Sequence, residues 1–228
     1  MELNHIVPWG RSFAEYKAMF QLSDADLQKT ILGCGDGPAA FNYQLNKLGG
    51  TVQSVDPIYQ FSRLELQHRI DAIYDDVLTQ VAAHKNNFVW DTIKSVTELG
   101  QIRIQAMNDF LADYDSGKQQ GRYITGSLPV LEFSDQQFDL VLCSHFLFLY
   151  SDHFSLQQHI DSIVELCRVG KQVRIYPLLS LDNQLSPHLE QVRQTLKQQH
   201  LHTELQTVDY QFQQGANQML VISSEKVN

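Results

Sequence analysis

Two periods alternate along the chain. Short apolar and β-branched runs at Thr30-Ile31-Leu32, Thr51 to Val55, Tyr123-Ile124-Thr125, Phe138 to Cys143 and Val173 to Pro177 read as strands. Between them apolar positions recur at three- and four-residue spacing: Phe13, Tyr16, Met19 and Phe20; Phe41, Leu45 and Leu48; Leu156, Ile160, Ile163, Val164 and Cys167. Each set forms one face of a helix. The chain ends in two strand-like stretches, Glu204 to Phe212 and Asn217 to Ser223, joined by Gln213-Gln214-Gly215, which predicts an antiparallel hairpin. Helix starts are marked by serines: Ser23 with Asp26 and Ser62 with Glu65 have capping-box spacing, Ser155 opens the next helix, and Ser186-Pro187 precedes the last one.

One connection is too long for a simple crossover. More than sixty residues separate Asp56 from the strand near Arg122, and they are helical in pattern. Leu66, Ile70, Ile73, Val77 and Val81 make one stripe, and Ile93, Val96, Leu99, Ile102, Ile104, Met107 and Leu111 a second. Residues 62–121 are therefore read as a helical insertion after the second strand. It is either an embellishment of the sheet or a lid over the strand ends where α/β proteins bind ligands.

Candidate chemistry concentrates between Thr30 and Pro57. Ile31-Leu32 runs into Gly33-Cys34-Gly35-Asp36-Gly37-Pro38, a helix follows, and the next strand ends on Asp56. Glycines let a backbone approach a ligand, and the helix N-terminus offers free N–H groups beside it. A carboxylate about 20 residues further on is placed to accept hydrogen bonds from both hydroxyls of a ribose. This predicts an adenosine-containing ligand over the first two strands. Gly35 to Ala40 also fits the dinucleotide pattern G-x-G-x-x-A, so a nicotinamide oxidoreductase is one reading.

The stretch Ile31 to Gly37 resembles the first motif of class I S-adenosylmethionine-dependent methyltransferases, and Gly126 to Asp139 resembles their second, matching in spacing. The terminal hairpin also agrees with that family. The resemblance implies a Rossmann-like, mostly parallel seven-stranded sheet with helices on both faces. It implies S-adenosyl-L-methionine as methyl donor, held by Gly33, Cys34, Gly35, Asp56, Pro57, Ser127, Leu128 and Ser144. Three positions depart from the family. Gly33 stands where an acid holds the methionine amino group, Ser127 where an acid reads the adenine, and Val169-Gly170-Lys171-Gln172 replaces a Pro-Gly-Gly turn. The first two losses leave a non-catalytic donor-binding module as a further alternative.

Two residues extend the candidate site. Arg11, after Trp9-Gly10, either packs on the sheet or meets a carboxylate bidentately. His145, at the exit of the fourth strand, is the one titratable side chain that the sequence sets beside the reacting sulfonium. It is either a general base or a packed core histidine.

Composition narrows the partners. The 228 residues, 43% apolar and 19% charged, suit one domain with an N-terminal helical arm over 1–28. A net charge of −9 argues against a nucleic-acid surface and leaves a small-molecule acceptor. No run is apolar enough to span a membrane. Cys34, Cys143 and Cys167 are far apart, without C-x-x-C spacing or a leader, so they are expected to be reduced packing residues in the cytoplasm, and no metal is expected.

Overall fold

A computed structural model describes residues 7–224. The residues before Val7, part of the predicted arm, lie outside it. The arm's helix α1 (Phe13–Met19) starts at a capping box in which Ser12 and Glu15 bond each other's backbone N–H. The core then alternates strand and helix: β1 (Thr30–Cys34), α2 (Phe41–Lys47) and β2 (Thr51–Val55). The insertion supplies α3 (Arg63–Ala83) and α4 (Val96–Gln119) before β3 (Tyr123–Ile124). The second half runs β4 (Leu140–Ser144), α5 (Leu156–Val169), β5 (Gln172–Tyr176), α6 (Leu189–Gln198), β6 (Leu201–Thr207) and β7 (Gln218–Ser224).

The seven strands form one sheet in the order β3-β2-β1-β4-β5-β7-β6. The first five are parallel neighbours; β7 inserts antiparallel between β5 and β6. This is the mostly parallel Rossmann-like sheet with a terminal antiparallel hairpin that the class I methyltransferase resemblance implies. The reversal from β1 to β4 opens a crevice at the strands' C-terminal ends, where ligands of such sheets bind.

The period of two in the strands sorts side chains onto the faces. Leu32, Val141, Cys143 and Val173 pack with Ile163 and Leu166 of α5 and Val192 and Leu196 of α6. Ile31, Leu140 and Leu142 point the other way, onto Tyr16 and Met19 of α1 and Phe41 and Leu45 of α2. The insertion makes its own core: Leu66 and Ile70 of α3 meet Met107, Phe110 and Leu111 of α4, while Tyr59 and Tyr123 close the cluster.

Several local expectations are corrected. Ser23 and Asp26 do exchange backbone hydrogen bonds, yet only a single 3-10 turn (Asp26–Gln28) follows before β1 begins. The last helix starts at Leu189, behind a turn in which Ser186 O accepts from Leu189 N–H and Ser186 Oγ from His188 N–H, so Ser186 caps this turn and Pro187 precedes the helix. Leu48 lies beyond the end of α2 and is exposed. Ile93 is buried but precedes α4. The hairpin turn is longer than Gln213-Gln214-Gly215. Val208 N–H to Asn217 O closes the ladder, and the loop beyond it reaches the insertion through Val89 N–H to Phe212 O and Gln214 N–H to Asn87 O. The alternation at Val208, Tyr210 and Phe212 thus serves loop packing and not a strand.

Candidate active site

A cavity of about 320 Å³ opens at the C-terminal ends of β1, β2 and β4. Its floor is the glycine turn after β1, where Gly35 and Gly37 take positive φ values of 67° and 54°. The turn is tied to the tip of β2: Asp56 Oδ2 accepts from Gly37 N–H at 2.9 Å, and Oδ1 from Ile58 N–H at 2.9 Å. Burial pushes the Asp56 carboxyl above its usual range, against these two bonds. Asp56 is only 9% exposed, so this strand-tip carboxylate is part of the packed structure.

Nine of the ten sequence-derived candidates line this cavity: Arg11, Cys34, Gly35, Asp56, Pro57, Ser127, Leu128, Ser144 and His145. The tenth, Gly33, does not. Behind it lies the buried carboxylate of Asp36, which accepts from Tyr16 Oη at 2.8 Å and Ser54 Oγ at 2.6 Å and itself reaches the cavity. Burial raises Asp36 to about 6, although both hydroxyl bonds pull the other way. Ser54 also accepts from Asn42, whose side-chain oxygen accepts from Arg122, and Arg122 pairs with Asp113 of α4 at 2.7 Å. A polar chain therefore runs from the glycine turn to the insertion.

His145 leaves β4 with φ 51°, a left-handed conformation uncommon for a non-glycine residue. Its N–H bonds Tyr176 O, and its Nδ1 lies 2.9 Å from Ser144 Oγ. Ser144 Oγ is also placed to donate to Met19 Sδ at 3.5 Å, and in that arrangement it accepts from His145 Nδ1–H. The Nε2 lone pair is then free. Burial, followed by the charges of Arg11 and Arg103, depresses His145 well below the ordinary imidazole range, so the ring is neutral at pH 7.

Sequence reading missed Asp36, Tyr16 and Arg103, all on the cavity wall. Two of them carried a signal. Asp36 is an acid inside the glycine turn of a chain that lacks one at 33. Arg103 interrupts the apolar stripe of α4 between Leu99 and Met107. The insertion reaches the cavity through Val77 and Val81 of α3 and Leu99 and Arg103 of α4. Among the described residues no group of His, Cys, Asp and Glu is arranged to hold a metal, and no helix is long and apolar enough to cross a membrane.

No protein-family model matches the chain. It is 31% identical over 223 residues to the uncharacterized protein MJ0045 of Methanocaldococcus jannaschii, an alignment spanning 97% of this chain and 98% of that one. Among solved structures it resembles magnesium protoporphyrin IX methyltransferase of Synechocystis PCC 6803 with bound SAM, at 11% identity over 93% of this chain and 78% of that chain (TM-score 0.46). It also resembles a TehB-like SAM-dependent methyltransferase of Corynebacterium glutamicum, at 15% identity over 94% of this chain and 86% of that chain (TM-score 0.45).

Proposed function

The chain belongs to one family with the Methanocaldococcus jannaschii protein, and from its site we infer that it transfers a methyl group from S-adenosylmethionine to a small molecule. The observation that carries this reading is the position of the cavity. It lies over the ends of β1, β2 and β4 in a sheet whose last strand enters antiparallel, with the glycine turn and Asp56 on its wall.

The lining fits each part of the donor. Asp56 retains lone pairs for the two ribose hydroxyls. Leu128 gives the adenine an apolar wall, and the Ser127 hydroxyl an acceptor at the cavity rim. Cys34, Gly35 and Pro57 supply close-set backbone, Ser144 the end of β4, and Arg11 a cation for the amino-acid carboxylate. Asp36 takes over the amino-group contact that Gly33 does not make. When bound, the donor supplies a methyl carbon already activated by its sulfonium.

The protein's remaining work is to align a nucleophile, exclude water and hold a proton. Neutral His145, with Nε2 free, receives the proton from the acceptor. Trp9, Phe146 and the insertion's apolar residues keep water from the reacting atoms. The net charge of −9 speaks for a small acceptor over nucleic acid, and the three free thiols fit a cytoplasmic enzyme.

Calorimetry with S-adenosylhomocysteine and NAD, followed by transfer of labelled methyl to a small-molecule panel, tests the reading. Tight binding of the homocysteine nucleoside, weakened at least tenfold in Asp56→Asn, is expected. Preference for NAD would overturn it, and binding without turnover on the whole panel would favour a non-catalytic module.

A further inference from the structure

The cavity wall divides by chemistry. Its charged side chains are Arg11 on the arm, Asp36 in the glycine turn, Asp56 at the tip of β2 and Arg103 on α4. The stretch built by the insertion, the hairpin loop and the arm is apolar. Val77 and Val81 lie one helical turn apart on α3, Leu99 stands on α4, and Phe88, Phe212 and Trp9 pack against the same cluster. All six line the cavity, and none is among the residues that fit the donor.

Charge is the first constraint on what this stretch can hold. Arg11 and Arg103 are matched by Asp36 and Asp56, and Glu15 stands behind Arg103, paired to it at 2.5 Å. Asp36, at about 6, is mostly ionised at pH 7, and two backbone N–H bonds favour the ionised form of Asp56. Burial keeps Tyr16 and Tyr150 protonated and His145 neutral. Three carboxylates therefore exceed two guanidiniums by one negative charge. A sulfonium donor, with its ammonium and carboxylate, is a monocation and closes that balance; this step alone rests on the methyl-transfer reading. A charged methyl acceptor would then enter a desolvated site that has no counter-charge for it, which is costly.

Hydrogen bonding is the second constraint. The amides beside the apolar stretch bond one another and the backbone: Asn183 donates to Asn87 O at 2.8 Å and accepts from Gln213 Nε2 at 2.9 Å, and Gln213 also donates to Ser180 O at 2.7 Å. Tyr150 differs. It lines the cavity at 3% exposure, and its hydroxyl accepts from Val7 N–H at 3.5 Å, longer than an ordinary bond. Among the described residues nothing takes the Tyr150 O–H proton. A buried donor left open costs free energy until a ligand oxygen meets it. Tyr150 stands on the same loop as His145, whose Nε2 is free to take a nucleophile's proton.

We propose that this stretch is the methyl-acceptor chamber and that it takes an uncharged, mainly apolar hydroxy compound, with the hydroxyl toward His145 and a second oxygen on the Tyr150 O–H. A hydroxyl on an aromatic ring suits a weakly basic imidazole better than an aliphatic one, because it is the stronger acid. A ring also matches a wall built partly of Trp9, Phe88 and Phe212.

The test is calorimetry on the complex with S-adenosylhomocysteine, using methyl 4-hydroxybenzoate, the 4-hydroxybenzoate anion, the 4-hydroxybenzylamine cation and phenol. The neutral ester is expected to bind at least tenfold more tightly than either charged probe. Val81→Phe, which fills the chamber, should weaken the ester at least tenfold while S-adenosylhomocysteine stays within twofold. Leu181→Trp, at a half-buried loop residue on the same cavity, does the same work if Val81→Phe fails to fold. Tyr150→Phe should weaken the ester several-fold and leave phenol, which lacks the second oxygen, unchanged.

Either charged probe binding within twofold of the ester overturns the proposal. So does an ester affinity unchanged in Tyr150→Phe, or unchanged in the folded filling variant. If S-adenosylhomocysteine binds and no phenolic probe does, the chamber falls and the donor reading stands. If S-adenosylhomocysteine fails on wild type while the free protein binds the ester with the same preference and the same loss in Val81→Phe, the donor reading falls and the chamber stands.

Discussion

The Asp36 carboxylate occupies the space that a side chain at position 33 would enter: a Cβ on Gly33 would fall 1.8 Å from Asp36 Oδ2 and 2.4 Å from its Cγ. Gly33 sits in β1 opposite Ser54 of β2, and Ser54 is one of the two hydroxyl donors to Asp36. Glycine at 33 and acid at 36 are therefore one arrangement. The carboxylate stands three residues beyond Gly33, in the turn, and folds back into the space that the glycine leaves open.

The two positions should be energetically coupled. Gly33→Ala is expected to destabilise by about 1–3 kcal/mol through overpacking. Asp36→Ala opens the space but strands the hydroxyls of Tyr16 and Ser54. The double variant should be less destabilised than the sum of the singles by about 1 kcal/mol or more in denaturant unfolding. Strict additivity would show that the two residues do not contend for the same space.

Asp36 also sets a pH dependence. Its folded pKa of about 6 lies above the ordinary carboxyl value near 3.8, with burial the dominant cause. A raised acid favours the fold while protonated, so this contribution is full below about pH 3.8 and is lost as pH rises through about 6. The loss amounts to about 3 kcal/mol by pH 8. Asp36→Asn should remove that slope, leaving the variant more stable than wild type at pH 8, while donor affinity falls because the amino group loses its counter-charge. Parallel stability–pH curves for the two proteins would rule this out.

Asp56 predicts a different balance. Asp56→Ala should weaken donor binding by about 1.5–3 kcal/mol, as for a hydrogen bond to a charged group. It should also cost about 1–3 kcal/mol of stability, because the N–H groups of Gly37 and Ile58 lose their acceptor. Asp56→Asn keeps an acceptor for one of the two N–H groups, so it should cost less stability than Asp56→Ala while still weakening the donor. Full affinity for S-adenosylhomocysteine in both variants would remove Asp56 from the ribose site.

The strands and the place of the cavity were legible because they rest on local signals, while the sheet's architecture was implied by the family resemblance. Apolar runs, the glycine cluster and an acid at a strand tip are each written in a few consecutive residues. What was not legible depends on pairs distant in sequence. Gly33 reads as a lost acid until Asp36 is seen folded back against it, and Tyr16 reads as an arm's packing residue until its hydroxyl meets Asp36. Arg103 and Glu15 are 88 residues apart, and nothing local announces their pairing. The run Val208, Tyr210 and Phe212 reads as strand for the same reason: Tyr210 packs on Tyr176 and bonds Glu15, and Phe212 meets Phe88 and Trp90 of the insertion.

That contact makes a prediction about motion. The loop after α3 is clasped by the hairpin loop and by the loop between β5 and α6: Phe88 stacks on Phe212 with ring centroids 4.9 Å apart, Trp90 meets Phe212 edge-on at 5.4 Å, and Asn183 of the second loop donates to Asn87 O. If residues 62–121 act as a lid, this clasp is what opens. Amide exchange in the insertion should then be faster than in the sheet and slow when S-adenosylhomocysteine binds. Phe212→Ala should speed it further without changing protection in β1 and β4. Equal protection with and without ligand would make the insertion a fixed embellishment.

His145 separates catalysis from packing. Burial and the two arginines depress its pKa well below 6.5, so protonation opposes the fold. Its contribution to stability is present above about pH 6.5 and is lost as pH falls below it, and His145→Gln should reduce that acid sensitivity. For catalysis the same depression keeps Nε2 unprotonated, so turnover should be flat from pH 8 to below 6.5 and fall only under more acid conditions. Removing the base should lower turnover by about 10²–10⁴-fold while donor affinity stays within a few-fold. The backbone supplies the control: at φ 51°, glycine is better accommodated than alanine, so His145→Gly should be more stable than His145→Ala by about 1 kcal/mol. Both lack the imidazole and should be equally impaired if His145 is a base. If activity instead follows their stabilities, with His145→Gly near the wild-type rate, the histidine is a packing residue and proximity alone carries the reaction.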